Sequence, residues 1–181
     1  MSCPDSSGEL DVWIAETVQR ALAYAITLVG NRADAEDVVH DCYQRLLARS
    51  DQYDLPRDGS KLLFKAITNA CINLVQRRPP TIGLDIAEHA GGVDRLSLAD
   101  QSGTEPDRRA MRREFEEAIA QALAELPVAQ RAVVELRSLG HSLIEVAEML
   151  EMSHANARTI LHRARQTLAA RLRPFLEEDV A

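Results

Sequence analysis

Wherever the apolar residues of this chain recur regularly, they recur at helical intervals. Between Ser142 and Leu168 they form two short stripes. In the first, Leu143, Val146, Ala147 and Leu150 fall at i, i+3, i+4 and i+7, which is one face of a helix, while Glu145, Glu148 and Glu151 point away from it. Ser142 with Glu145 three positions on has the spacing of a capping box and predicts a helix start near Leu143. In the second stripe, Ala157, Ile160, Leu161, Ala164 and Leu168 share a face and Ser153 offers the N-cap. The opposite face carries His154, Asn156, Arg158, Thr159, His162, Arg163 and Arg165. Small residues at Ala147, Ala157 and Ala164 let the two helices cross closely, as a helix-turn-helix requires.

The same periodicity predicts helices upstream. Leu10 to Val29 reads as one, through Trp13, Val18, Leu22 and Ile26, with Gly30 ending it and Asn31 capping the next. Ala33 to about Arg49 follows, with Ala35, Val38, Val39, Cys42, Leu46 and Leu47 on one face and Asp34, Asp37, Asp41, Gln44, Arg45 and Arg49 on the other. Asp54, Pro56, Asp58 and Gly59 predict a loop of roughly a dozen residues. A third helix is expected from about Ser60 to Arg78, through Leu63, Ala66, Ile67, Ala70 and Leu74, and is stopped by Pro79-Pro80. From Thr81 to about Asp107 the pattern dissolves among glycines and serines, with one arginine against six acids, and reads as a flexible acidic linker. Periodicity returns at Arg108 with Phe115, Ile119, Leu123 and Leu126, and Pro127 suits the first position of a further helix through Val133, Val134 and Leu136. The expectation is an all-α protein of two small helical domains, 1–80 and 108–181, joined by a linker over 81–107, the second ending in the helix-turn-helix.

Composition fits that expectation: 46% of residues are hydrophobic but only 4% aromatic, a balance that favours helix. No apolar run approaches the ~18 residues of a membrane span, and the amino terminus lacks the basic and apolar regions of an export signal, so no membrane insertion and a cytoplasmic location are expected. Cys3, Cys42 and Cys71 are odd in number and widely spaced, which predicts reduced thiols. His40 and Cys42, two apart on a helix, face away from one another and cannot chelate one ion; no metal and no cofactor is expected. No nucleotide-binding or protease motif occurs, and nothing in the sequence proposes catalysis, so the chain is expected not to be an enzyme.

Charge changes the picture more than composition. The chain carries −7 overall, yet Ser153 to Arg173 contains five arginines and no acid. Cations concentrated opposite an apolar stripe, on the second helix of a helix-turn-helix, are suited to the major groove, where Arg and Asn read base edges and the helix N-terminus favours a phosphate. Ser153, His154, Asn156, Arg158, Thr159, His162, Arg163 and Arg165 are the candidate DNA-contacting residues.

The order of these elements resembles a bacterial RNA polymerase sigma factor of the extracytoplasmic-function (ECF) subfamily of the sigma-70 family. The resemblance covers about Leu22 to Leu176. It is most specific in LPVAQRAVVELRSLGHSLIEVAEMLEMSHANARTILHRARQTL, where Leu126-Pro127, Glu145-Val146-Ala147 and His162-Arg163-Ala164-Arg165 follow the family's pattern. DAEDVVHDCYQRLL is similar to the family's helix that docks on core RNA polymerase, and LLFKAITNACINLVQRR to the helix that reads and opens the −10 promoter element.

The resemblance implies core RNA polymerase, promoter DNA and an anti-sigma factor as partners. It implies that Asp37, His40 and Asp41 lie on the polymerase-docking face, and that Phe64, Lys65, Asn69, Arg77 and Arg78 face the −10 element. Asn156, Arg158, Thr159, His162 and Arg163 would serve the −35 element. The chain departs from the family's usual residues at His40, Asp41, Leu62 and Asn73, at Ala155-Asn156-Ala157, and at Glu151, where glycine is common at the helix-turn-helix corner. The rival reading is a helix-turn-helix regulator that acts without polymerase, as a dimer on a two-fold site. A helical adaptor or a small enzyme using Cys42 or Cys71 is a further alternative.

Overall fold

A computed structural model describes residues 6–77 and 106–177, and every element among them is helical. In chain order these are α1 (Ser6–Val29), α2 (Arg32–Leu47), α3 (Leu55–Arg77), α4 (Pro106–Ala124), α5 (Val128–Ser138), α6 (Leu143–Met149) and α7 (His154–Glu177). The linker expected over 81–107 falls almost entirely outside the described residues.

Helices α1, α2 and α3 pack on one another. The buried face of α1 differs from the expected stripe: Trp13, Thr17, Ala21, Tyr24, Ala25 and Leu28 are buried, while Val18, Leu22 and Ile26 are only partly so. Hydroxyl pairing makes this possible. Thr17 donates to the Trp13 carbonyl at 2.6 Å and accepts from the Tyr43 hydroxyl at 2.7 Å. Thr68 likewise donates to the Phe64 carbonyl at 2.7 Å and accepts from Tyr24 at 2.6 Å. Each buried hydroxyl is satisfied, which removes the penalty that otherwise keeps such groups out of a core.

Two local boundaries also differ. The expected dozen-residue loop is shorter, because α3 begins at Leu55 and takes in Pro56, Asp58 and Gly59. Proline in the first turn has no N–H to forfeit, and the Arg57 N–H is received by the Asp54 carboxylate at 3.2 Å. Pro127 caps α5 rather than opening it. The expected caps at Asn31, Ser142 and Ser153 all form; at Ser142 both bonds of the capping box are present.

In the second half α7 packs on α4, α5 and α6. Leu123, Leu126 and Ala164 are buried together, and Phe115 meets Phe175 with ring centroids 6.1 Å apart. The two halves also share a core: the cluster containing Trp13, Leu28, Phe64 and Cys71 continues through Ala132, Val133, Leu136, Val146, Met149 and Leu161. The stripes were expected to be buried within each half separately; they meet across the halves as well.

Candidate nucleic-acid and polymerase interfaces

The turn from α6 to α7 sets the aim of the basic helix. The Met152 N–H reaches the Ala147 carbonyl at 2.9 Å and the Glu151 N–H reaches that of Glu148 at 3.2 Å. This is the Schellman closure, in which the residue after the cap sits in the left-handed region. Glu151 occupies that position with φ 52°. The end of α5 closes in the same way, but with Gly140 there at φ 94°. A non-glycine residue in this region costs about 1 to 2 kcal/mol, so the Glu151 carboxylate sits there at a conformational cost.

Beyond the turn, Ser153 receives the Asn156 N–H at 3.2 Å. His154, Asn156, Arg158, Thr159, His162, Arg163 and Arg165 are all exposed, while Ala157, Leu161 and Ala164 are buried behind them. Among the described residues no ion pair occupies Arg158, Arg163 or Arg165. A cleft of about 540 Å³ runs along this face, lined by Arg158, Thr159, His162 and Arg165 and by Arg137 from the last turn of α5. Sequence reasoning missed Arg137, since nothing local marks a residue of the preceding helix as a neighbour of the basic face. It also holds the turn by donating to the His141 carbonyl.

Asp37, His40 and Asp41 share the exposed face of α2. Asp41 lies 3.6 Å from Arg45, and His40 bonds Gln44 at 2.8 Å. The carboxylate of Asp37 stands outward beside them, so the face offers negative charge to a basic surface.

On α3 the expected −10 set divides. Asn69 and Arg77 are exposed, and Arg78 lies outside the described residues. Lys65 is half-buried, its ammonium 2.8 Å from Glu151. Phe64 is not on the face at all. It is 1% exposed, edge-on to Tyr24 at 5.3 Å and to His141 at 5.8 Å, so here its ring is core and cannot support an unstacked base. Helical spacing alone did not separate it from its exposed neighbours, because the side chains that cover it come from α1 and from the turn before α6.

Burial pushes the Cys42 thiol up to about 11 and the Cys71 thiol up to about 12. Neither is a thiolate at neutral pH, which disfavours nucleophilic chemistry at either. Among the described residues no cluster of three or more His, Cys, Asp or Glu side chains is placed to hold a metal ion, and no helix is long and apolar enough to cross a membrane.

Family models of known proteins match both halves: sigma-70 region 2 over residues 13–79 and sigma-70 region 4 over residues 116–168. The ECF RNA polymerase sigma factor SigW of Bacillus subtilis (strain 168) is 31% identical over 149 residues, covering 81% of this chain and 79% of SigW. The chain belongs to the ECF sigma factor family. A sigma factor serves promoter recognition with RNA polymerase, and the polymerase-independent regulator is accordingly not favoured. Its fold matches that of the sigma factor RpoE from Bartonella quintana, solved in complex with the anti-sigma factor NepR. The TM-score is 0.60 at 22% identity, over 93% of this chain and 97% of that one. Within this sigma factor, α2, α3 and most of α1 fall in region 2, and the cleft between α5 and α7 falls in region 4.

Proposed function

We propose that this sigma factor divides its work between three faces. The exposed acids Asp37 and Asp41, with His40, dock on core RNA polymerase, where a basic surface complements them. Asn69, Lys65 and Arg77 on α3, with Arg78 beyond it, contact the −10 element. The face of α7 from Ser153 to Arg165 grips the −35 duplex, with Ser153 and His154 at the helix start, Asn156, Arg158 and Thr159 toward base edges, and His162, Arg163 and Arg165 toward phosphates. The residues 1–80 and 108–181 act as two domains on either side of a linker. It carries out no catalysis of its own, works in the cytoplasm beside polymerase, and takes an anti-sigma factor as a protein partner.

The observation that carries this reading is the face of α7: seven exposed polar or cationic side chains opposite the buried Ala157, Leu161 and Ala164, with no acid among them. Free protein binds DNA weakly under this reading, since the chain carries −7 overall and electrostatic affinity scales with the phosphates neutralised. Polymerase supplies the remainder. Run-off transcription with core polymerase on a promoter library tests it. Initiation at discrete sites only when the protein is present is expected; duplex binding by a dimer without polymerase, and no initiation, would overturn it.

A further inference from the structure

His162 differs in its surroundings from the other described histidines. His40 bonds Gln44 at 2.8 Å, and His141 packs against Phe64 with its Nε2 atom buried. His154 is exposed at the first residue of α7 but does not line the cleft between α5 and α7. His162 is exposed and does line it, and among the described residues no hydrogen bond or ion pair engages its ring. Helical spacing puts it there, since Arg158, His162 and Arg165 fall at i, i+4 and i+7 along the cleft wall. Arg137 enters from α5, and Leu143 from the first turn of α6.

The acids of the helices packed on α7 are directed elsewhere. Glu145 pairs with Lys61, Glu151 with Lys65 and Glu125 with Arg171, and neither Glu135 nor Glu148 lines the cleft. Three guanidiniums and one imidazole therefore share a concave surface of about 540 Å³ with no carboxylate in it. Arginine keeps its charge throughout the physiological range, whereas histidine changes charge between about pH 5 and 8. A phosphate brought within about 4 to 6 Å of such a ring favours its protonated form. By linkage, protonation then favours the phosphate.

We propose that promoter binding takes up a proton at His162, whose ring enters the complex as an imidazolium donating to a backbone phosphate of the −35 duplex seated beside Arg137, Arg158 and Arg165. The proton comes from solvent, and no bond of the DNA changes. This inference rests on the reading of α7 as the −35 grip. Its consequence is a grip that tightens as pH falls. The contribution of His162 is full below the ordinary histidine range and is lost as pH rises through it, with a limit of about tenfold in affinity per pH unit for one proton. The arginines set the baseline on which that change is laid.

Calorimetric titration of the holoenzyme with promoter DNA, in two buffers of different ionisation enthalpy, counts the protons taken up. Near neutral pH the wild type is expected to take up a fraction of a proton that disappears in His162→Gln. Fluorescence anisotropy with labelled promoter is expected to show wild-type affinity rising about threefold or more from about pH 7.5 to 6. His162→Gln should flatten that rise, and His162→Arg, with its permanent charge, should hold tight binding across the range. Equal proton uptake in wild type and His162→Gln overturns the proposal, as does a wild-type affinity that does not change with pH. A rise flattened by His154→Gln and not by His162→Gln overturns it too. The underlying reading fails differently: if Arg158→Ala and His162→Arg both leave promoter affinity unchanged at every pH, this face is not the −35 grip. If Arg158→Ala weakens binding while His162→Gln keeps the full rise, the grip stands and the proton coupling alone is overturned.

Discussion

Arg131 on α5 donates to the carbonyl of Thr27, at the end of α1, across 104 residues of sequence. Its guanidinium also reaches the carbonyls of Leu28, Ala124 and Leu126, at 3.3, 3.1 and 2.9 Å. Those of Thr27, Leu28 and Ala124 lie in the last turns of α1 and α4, where carbonyls lack helical partners and a cation is favoured by the helix dipole as well. Burial lowers the pKa of this side chain, so the carbonyls repay a desolvated charge. Arg131→Met is expected to destabilise the protein by about 2 kcal/mol, the cost of leaving such acceptors unpaired. Arg131→Lys should recover little, since one ammonium cannot span four carbonyls. Urea denaturation of the two variants checks this, and a fully stable lysine variant would contradict it.

Gly59 admits the indole of Trp13. A methyl group at Gly59 would meet Trp13 Cε2 and Cζ2 at 2.9 Å, closer than such contacts occur. The ring is 4% exposed and edge-on to Tyr43 at 5.4 Å, so it has little room to yield. Gly59→Ala gains about 0.5 to 1 kcal/mol of helix propensity but overpacks the core at a cost of about 1 to 3 kcal/mol. Net destabilisation is expected, with a change in tryptophan fluorescence that reports this site alone, since the chain has one tryptophan. Unchanged fluorescence and a raised melting temperature would show that the ring moves freely.

The Lys61 ammonium, with the Ser142 N–H and hydroxyl, holds the Glu145 carboxyl down from its ordinary 4.5 to about 2. A depressed carboxylate pKa contributes stability that is present above the unfolded value and is lost as pH falls through the folded one. The contribution of Glu145 should therefore be complete at neutral pH and fade between about 4.5 and 2. Comparing wild type with Glu145→Gln, the stability difference is expected to shrink steadily over that window. A difference that stays constant with pH would detach the effect from this ionisation.

Separate faces require separable defects. Arg158→Ala or Arg163→Ala is expected to weaken promoter binding by the holoenzyme by about 1 to 3 kcal/mol, with affinity for core polymerase unchanged. Reversing Asp37 and Asp41 to lysine should do the opposite, lowering affinity for core polymerase on the order of tenfold. Fluorescence anisotropy with labelled promoter and pull-down with core polymerase measure the two independently. Parallel losses in both assays for either variant would merge the faces into one.

The helices themselves were legible because their signals are short-range. Capping at Ser142 needs only a glutamate three residues on, and the stripe Ala157, Leu161, Ala164 needs only a period of 3.6. The exposed cations of α7 followed from the same arithmetic, since a residue opposite a buried stripe faces solvent. Where polar residues served the core the reading slipped. Thr17, Tyr24 and Thr68 do not look apolar, and their burial depends on partners 26 and 44 residues away.

From the sequence alone came seven amphipathic helices, their caps, the basic face and the likeness to a sigma factor, because each is written in residues within a few turns of one another. Only the tertiary structure decided that Phe64 is core, that Arg137 lines the α7 cleft, that Arg131 closes the end of α1, and that the two lysines meet Glu145 and Glu151. These depend on which faces of distant helices come together. An ion pair between Lys61 and Glu145 leaves no periodic trace, since chain connectivity sets no spacing for groups that meet only after folding.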